Sequence, residues 1–314
     1  MFYDLPAPAK LNLFLHVVGR RPDGYHLLQT VFRFIDLQDT LNIDLRQDGQ
    51  ISRETNLDGV AYEQDLVVRA ARLLQLTTGT RMGTHIHVSK SIPSGAGLGG
   101  GSSDAATVLV ALNRLWKTGL SRQQLMEIGL QLGADVPVFL FGRNAFAEGV
   151  GEALTELELQ PCSYLVIQPR QPVPTAGIFQ HDGLTRDTKP VKIMDFSGLQ
   201  GFVSLPFGAE PGSSVYPGNF GRNDLQPVVL SLYPEVKRVF EWLQSSGVHA
   251  RMTGSGSCFF VECSTKKDAQ RLSQELIVKM HMDFAAEFGS VSPIKAFYAC
   301  DGLPQHPLLH WIAS

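Results

Sequence analysis

Pro93-Ser94-Gly95-Ala96-Gly97-Leu98-Gly99-Gly100-Gly101-Ser102-Ser103-Asp104 is the stretch from which the fold can be read. It is entered from an extended run, THIHVSK (Thr84 to Lys90), and left through a segment in which Ala105, Leu109, Leu112 and Trp116 fall on one helical face. Glycines without Cβ atoms let successive backbone N–H groups converge, and such a concavity attracts anions. The helix beginning at Ser102-Ser103 adds unsatisfied donors and the positive end of its dipole, so phosphate is the expected guest. Gly95, Gly97 and Gly100 match the spacing of a dinucleotide fingerprint, but that fingerprint belongs in a strand–helix–strand unit with an acidic residue about 20 residues further on. Here a second helix follows the first, and Glu127 lies inside it. A Walker A loop is excluded too, because no Gly-Lys-Ser/Thr occurs and Lys90 precedes the glycines.

Outward from the loop, the chain alternates strands and helices. Leu11, Leu13, Leu15 and Val17 interleave with Asn12, Phe14 and His16, the period of a strand with one face in the core; Lys10 and Asn12 share the opposite, exposed face. The RRPDG turn (Arg20 to Gly24) leads into HLLQTVFRFI and then TLNIDLR (Thr40 to Arg46), a β-rich opening. Asp65 to Leu76 has helical spacing. Ser121 followed by Gln124 is a capping-box signature, and Gly133 closes that helix, leaving Asp135 just past its end.

From about residue 155 the texture changes. SYLVIQP is strand-like, and 168–221 is loop-heavy, with GAEPGSSVYPGNFG as an exposed excursion. PEVKRVFEWLQ (Pro234 to Gln244) is a helix with an early proline and Gly247 as its stop. Strands HARMT and CFFVEC flank GSGS, then come an amphipathic helix from near Lys266 and a last strand, IKAFYAC. The pattern predicts an α+β chain of two mixed layers, divided into residues 1–157 and 158–314. His85 and His87 share a strand face, but no Cys, Asp or Glu cluster completes a metal site, and they read as ordinary strand residues.

A length of 314 residues favours two domains. With 27 Lys+Arg against 30 Asp+Glu, the net charge of -3 supplies no field for a polyanion, so nucleic acid is not an expected partner. A hydrophobic share of 44% excludes a disordered chain, and no apolar run approaches the roughly 20 residues that span a bilayer, so no membrane partner is expected either. The N-terminus lacks the pattern of an export leader, and Cys162, Cys258, Cys263 and Cys300 form no C-x-x-C pair, which predicts a cytoplasmic protein with reduced thiols.

Three motifs in order carry a resemblance. Residues 93–103 resemble the P-x-x-x-G-L-G-G-G-S-S signature of the GHMP kinase superfamily, PAPAKLNLFL at 6–15 its first motif, and TGSGSCFF at 253–260 its third. Within it, PAKLNLFLHVVGRRPDGYHLLQTVF, GADVPVF (133–139), AFAEGVGE (145–152) and Asn223 to Leu225 resemble the branch acting on a cytidine-diphosphate-linked methylerythritol of the non-mevalonate isoprenoid pathway. The resemblance covers residues 6 to about 300.

That resemblance implies a ribosomal protein S5 domain 2-like N-terminal domain, a ferredoxin-like C-terminal domain and a site in the cleft between them. It implies ATP as co-substrate, accompanied by Mg2+ whose ligands stay open between Ser102, Ser103 and none. It assigns the ATP phosphates to Pro93, Ser94, Gly95, Ala96, Gly97, Leu98, Gly99, Gly100, Gly101, Ser102 and Ser103. Lys10 and Asp135 would be catalytic, and Tyr25, His26, Thr175 and Phe179 would bind substrate, with Tyr25 and Phe179 stacking on cytosine and His26 bonding its edge; Asn12, two residues from Lys10 on the same strand face, is placed by that spacing in the same cleft, against phosphate or substrate. A homoserine or mevalonate type of kinase, an NAD-dependent oxidoreductase built on Gly95 to Gly100, and a silent nucleotide sensor are the rival readings. One departure is Gln64-Asp65-Leu66, where the family usually places asparagine near adenine; another is the long Gly/Pro-rich stretch 202–221, which has no functional reading. Monomer and homodimer stay open.

Overall fold

In the computed structural model of the chain, residues 1–54, 61–191, 222–288 and 292–312 are described; the stretch 202–221 lies outside them. Strands β1 (Phe2–Arg20) and β2 (His26–Arg46) form a long antiparallel hairpin around the RRPDG turn, which Arg21 N–H closes on Tyr25 O at 2.7 Å. The two extended runs expected between residues 26 and 46 merge into β2, because β1 pairs across both, from His26 to Ile43, while β4 (Gly83–Ser89) pairs on the other side along Thr40 to Arg46. With β3 (Ile51–Arg53), β5 (Ala145–Glu148) and β6 (Ala153–Glu156), the sheet runs β3-β4-β2-β5-β6, with β1 beside β2.

Helices α1 (Leu66–Thr78), α2 (Gly100–Leu115), α3 (Arg122–Leu132) and α4 (Val136–Phe141) pack on this sheet around one apolar core. Every side chain from Ser103 to Asn113 in α2 is buried. Each fully buried Val or Leu contributes roughly 1.5–3 kcal/mol, so packing, not capping, holds this helix in place. The capping box of Ser121 and Gln124 is formed at the start of α3.

The second layer contains β7 (Ser163–Pro169), α5 (Thr175–Gln180), α6 (Gln226–Leu232), α7 (Pro234–Ser245), β8 (Arg251–Met252), β9 (Phe259–Cys263), α8 (Lys266–Phe288) and β10 (Ile294–Asp301). Its strands are all antiparallel in the order β10-β7-β9-β8, the arrangement of a ferredoxin-like sheet with α7 and α8 as its two crossovers. Leu11, Leu13, Phe14, Val31 and Ile35 of the hairpin share a third core with Tyr164, Val166, Cys258 and Phe260 of this sheet. The hairpin is therefore covered on both faces. Lys10 and Asn12, expected on an exposed face, are buried. The tail, which the sequence placed with the second half, returns to the first: Leu303 N–H bonds Phe34 O at 2.8 Å, and Leu308 and Ile312 join the first core.

Candidate active site

The glycine loop turns through three left-handed residues, Gly95, Gly97 and Gly99, with φ of +63°, +75° and +75°. Side chains there would be strained. Between them Ala96 and Leu98 drop into the third core and pin the loop from below. Gly99 is the N-cap of α2, and no side chain caps the helix, so its first-turn amides are open to an anion. The sheet strand before the loop is β4, which runs antiparallel to β2, and a helix pair follows. That is not the parallel strand–helix–strand unit of a dinucleotide site.

Two glycine segments meet backbone to backbone. A Cβ on Gly97 would lie 2.2 Å from Thr253 O, and one on Gly254 would lie 2.8 Å from Gly97 O. Cys258 N–H also bonds Ala96 O at 3.3 Å. Asn223 holds the second segment, its amide donating to Met252 O at 2.9 Å and Gly254 O at 2.8 Å. Asp224 ties the same turn to β1 by accepting Val17 N–H at 2.8 Å.

Lys10 passes beneath the loop in a space that a Cβ on Gly99 would fill, 3.1 Å from Lys10 Cε. Its ammonium donates to Asn12 Oδ1 at 2.6 Å and Gly97 O at 3.0 Å, and lies 3.2 Å from Asp135 Oδ2. Two of its N–H donors are thus spent on Asn12 and Gly97, and the contact with Asp135 is an ion pair. The Lys10 side chain is 3% exposed and the Asp135 side chain 39%, which leaves the carboxylate facing solvent while its partner is buried. Asp135 stands at the N-cap of α4 without capping it, so the helix does not consume its oxygens. Asn12 in turn donates from Nδ2 to Thr30 Oγ1 at 2.9 Å and from its backbone to Thr253 Oγ1 at 2.8 Å.

The two serines of the loop differ. Ser103 is buried, and its hydroxyl donates to Pro8 O at 2.7 Å, fastening α2 to β1. Ser102 is partly exposed, as are Pro93, Gly97, Gly99 and Gly100, while Ser94, Gly95 and Gly101 are exposed.

At the far end of the hairpin, Tyr25 is 63% exposed. His26 is buried, with its ring centroid 5.3 Å from that of Phe179 in α5. Arg186 Nε donates to His26 Nε2 at 3.1 Å. Burial, then Arg186, then Arg20 lower the His26 pKa. Thr175 opens α5, with its hydroxyl 2.7 Å from Ser255 Oγ of the second glycine segment. The expected residues thus form two groups: Lys10, Asn12 and Asp135 under the loop, and His26 with Phe179 beyond it, with Thr175 reaching back to the TGSGS turn.

Sequence reasoning missed Asp39 and Arg186. Asp39, buried in β2, accepts Ser91 N–H at 2.6 Å and Ile92 N–H at 2.8 Å and pairs with Lys90, which also binds Asp104 Oδ2 at 2.6 Å. This clamps both the entry to the loop and the helix leaving it. Burial raises the Asp104 pKa above the usual carboxylate range; the ammonium of Lys90 opposes that rise and the neighbouring Asp39 carboxylate adds to it. Asp39 shares β2 with Asp36 and Asp44, and nothing local singled it out; Arg186, in loop-heavy sequence, left no signal either. Asp65, the departure noted above, caps α1 by accepting Val67 N–H at 2.9 Å and pairs with Arg53. His87 Nδ1 lies 3.0 Å from Glu54 Oε2, and among the described residues no group of three or more His, Cys, Asp or Glu could hold a metal. No described helix is long and apolar enough to cross a membrane.

Residues 65–143 match the family model of the GHMP kinases N terminal domain, and residues 218–280 match that of the GHMP kinases C terminal. The class is thereby a GHMP kinase. The chain is 55% identical over 312 residues to a 4-diphosphocytidyl-2-C-methyl-D-erythritol kinase of Bordetella bronchiseptica, covering 99% of each, and 50% identical over 309 residues to one of Aromatoleum aromaticum, covering 98% and 96%. A crystal structure of 4-(cytidine 5'-diphospho)-2C-methyl-D-erythritol kinase is 32% identical with a TM-score of 0.72, covering 95% of this chain and 98% of that one. A homoserine kinase of Cytophaga hutchinsonii, 16% identical with a TM-score of 0.63 over 97% and 94%, shares the fold. The chain belongs to the 4-diphosphocytidyl-2-C-methyl-D-erythritol kinase family. It is an enzyme, a small-molecule kinase, and the oxidoreductase reading of Gly95 to Gly100 is set aside.

Proposed function

We propose that this kinase transfers the γ-phosphoryl group of ATP to the 2-hydroxyl of 4-diphosphocytidyl-2-C-methyl-D-erythritol in the non-mevalonate isoprenoid pathway. The observation that carries the reading is the Lys10–Asp135 pair, 3.2 Å apart beside the glycine loop, with the cation buried and the carboxylate open. The relatives carry that substrate in their names.

In the reaction, a bond forms from the 2-hydroxyl oxygen to the γ-phosphorus as the bond to the ADP oxygen breaks, and the hydroxyl proton passes to Asp135. The transition state is loose, so positioning the hydroxyl counts for more than early proton removal. Lys10 holds the Asp135 carboxylate in place through their ion pair and puts positive charge near the transferring group. Amides of residues 93–103 and the start of α2 receive the phosphates. Mg2+ would neutralise triphosphate charge, held mainly by phosphate and water, with Ser102 as the chain's hydroxyl beside it. Tyr25 and Phe179 take the cytosine faces, His26 its edge, and Asn12 and Thr175 the polar groups between base and acceptor. We divide the labour between residues 1–157 for nucleotide and 158–314 for substrate.

Labelled ATP offered with the cytidylated alcohol, homoserine and mevalonate tests the reading. Label is expected on the cytidylated alcohol alone; labelling only acceptors without cytidine would sink it.

A further inference from the structure

Arg186 sits on a strap that follows α5, and its guanidinium is fixed on several sides. NH1 donates to Leu184 O at 3.1 Å, and NH2 donates to Phe179 O at 3.2 Å and His181 O at 2.8 Å. The same strap is tied to the hairpin by Thr188 N–H bonding Val17 O at 3.1 Å and by Val191 N–H donating to Gln29 Oε1 at 2.8 Å. So held, Arg186 aims Nε–H at His26 Nε2. A guanidinium has no acceptor, hence Nε2 must be the acceptor and carry no proton. The remaining ring proton then lies on Nδ1, since the hydrogen bond of one ring nitrogen sets the state of the other.

We infer that Arg186 is a positioning residue that locks His26 as the neutral Nδ1–H tautomer, so that His26 presents a hydrogen-bond donor to the cytosine edge. This rests on the place given to His26 under the proposed function. Cytosine offers acceptors at O2 and N3, and a donor fixed on Nδ1 meets either one. Free imidazole favours the proton on Nε2, so without the arginine this donor would be lost from the ring much of the time. Charged groups acting on the ring are Arg186 from the strap and Arg20 from the end of β1, with Phe179 packed on it from α5. Burial first, and then both cations, oppose a second ring proton and lower the pKa, extending the neutral form to more acid pH.

The test reads the tautomer directly. Nitrogen-15 NMR of the free enzyme with labelled histidine, its His26 signal assigned by loss in His26→Asn, is expected to show an unprotonated Nε2 at pH 7. Arg186→Gln should move the proton toward Nε2, and Arg186→Lys should restore part of the original state. Arg186→Gln should also raise KM for the cytidylated alcohol about tenfold, with kcat little changed, and raise it further as pH falls toward 6. Replacing the histidine separates the two nitrogens, because an asparagine amide mimics Nδ1–H and a glutamine amide mimics Nε2–H. His26→Asn should therefore keep a lower KM than His26→Gln. A protonated Nε2 in the free enzyme, or the same tautomer in Arg186→Gln, overturns the lock and leaves the site reading standing. A shifted tautomer with unmoved KM overturns the donor role and removes His26 from the cytidine site.

Discussion

The position where a side chain on Gly97 would begin is already taken by the carbonyl oxygen of Thr253, 2.2 Å from the ideal Cβ. Through this approach the glycine loop of the first layer is seated against the second. Alanine at 97 would have to hold φ near +75° and push two backbones apart. Left-handed strain alone costs about 1–2 kcal/mol, and the overlap adds to it. Gly97→Ala is expected to lower the thermal unfolding midpoint and to reduce kcat/KM for ATP by about 100-fold. Unchanged melting and kinetics would mean that the two glycine segments do not need each other.

Asp135→Asn keeps the shape of the side chain and removes its negative charge. Calorimetry with a nonhydrolysable ATP analogue is expected to show binding close to wild type, while kcat falls by about 10²–10⁴-fold. Lys10→Met should differ by also losing stability, about 1–3 kcal/mol, because Asn12 Oδ1 and Gly97 O would lose a buried donor. Near-normal turnover in Asp135→Asn would take that carboxylate out of the mechanism.

His306 lies buried in the returning tail, its backbone N–H on Gly142 O at 2.8 Å and its Nδ1 accepting Leu308 N–H at 3.0 Å. Burial, with Arg122 adding to it, lowers its pKa from 6.5 to about 3. Below pH 6.5 the unfolded chain binds a proton that the folded chain refuses, so stability present at neutral pH is lost as pH falls from 6.5 toward 3. The loss reaches up to about 1.4 kcal/mol per pH unit. Urea unfolding at pH 7, 6 and 5 should show a shallower decline in His306→Asn, whose oxygen can stand in for Nδ1. Equal slopes would place the acid sensitivity elsewhere.

Much of the architecture was legible in local pattern. Alternation from Leu11 to Val17, the Ser121–Gln124 box and the run of glycines after Ser94 each reflect constraints acting over a few residues. The same holds for the pairing of Pro234 and Gly247 around a helix. Asp65 could be read only as an oddity against its family, since its pairing with Arg53 depends on β3 lying beside α1. Asp39 was hidden because an acid in an apolar strand declares its role only through the amides of Ser91 and Ile92.

From residue order alone came the class of fold, the glycine loop, and Lys10 and Asp135 as the pair to watch, because side-chain period and glycine sterics are short-range properties that survive in a linear text. Folding in three dimensions settled that Lys10 is buried and bonded to Asn12 and Gly97, that Asn12 meets Thr253 across 241 positions, that Arg186 reaches His26, and that the tail recrosses to the first core. These meetings follow from a hairpin with two apolar faces, each needing its own cover. No local period encodes which distant segments will supply it.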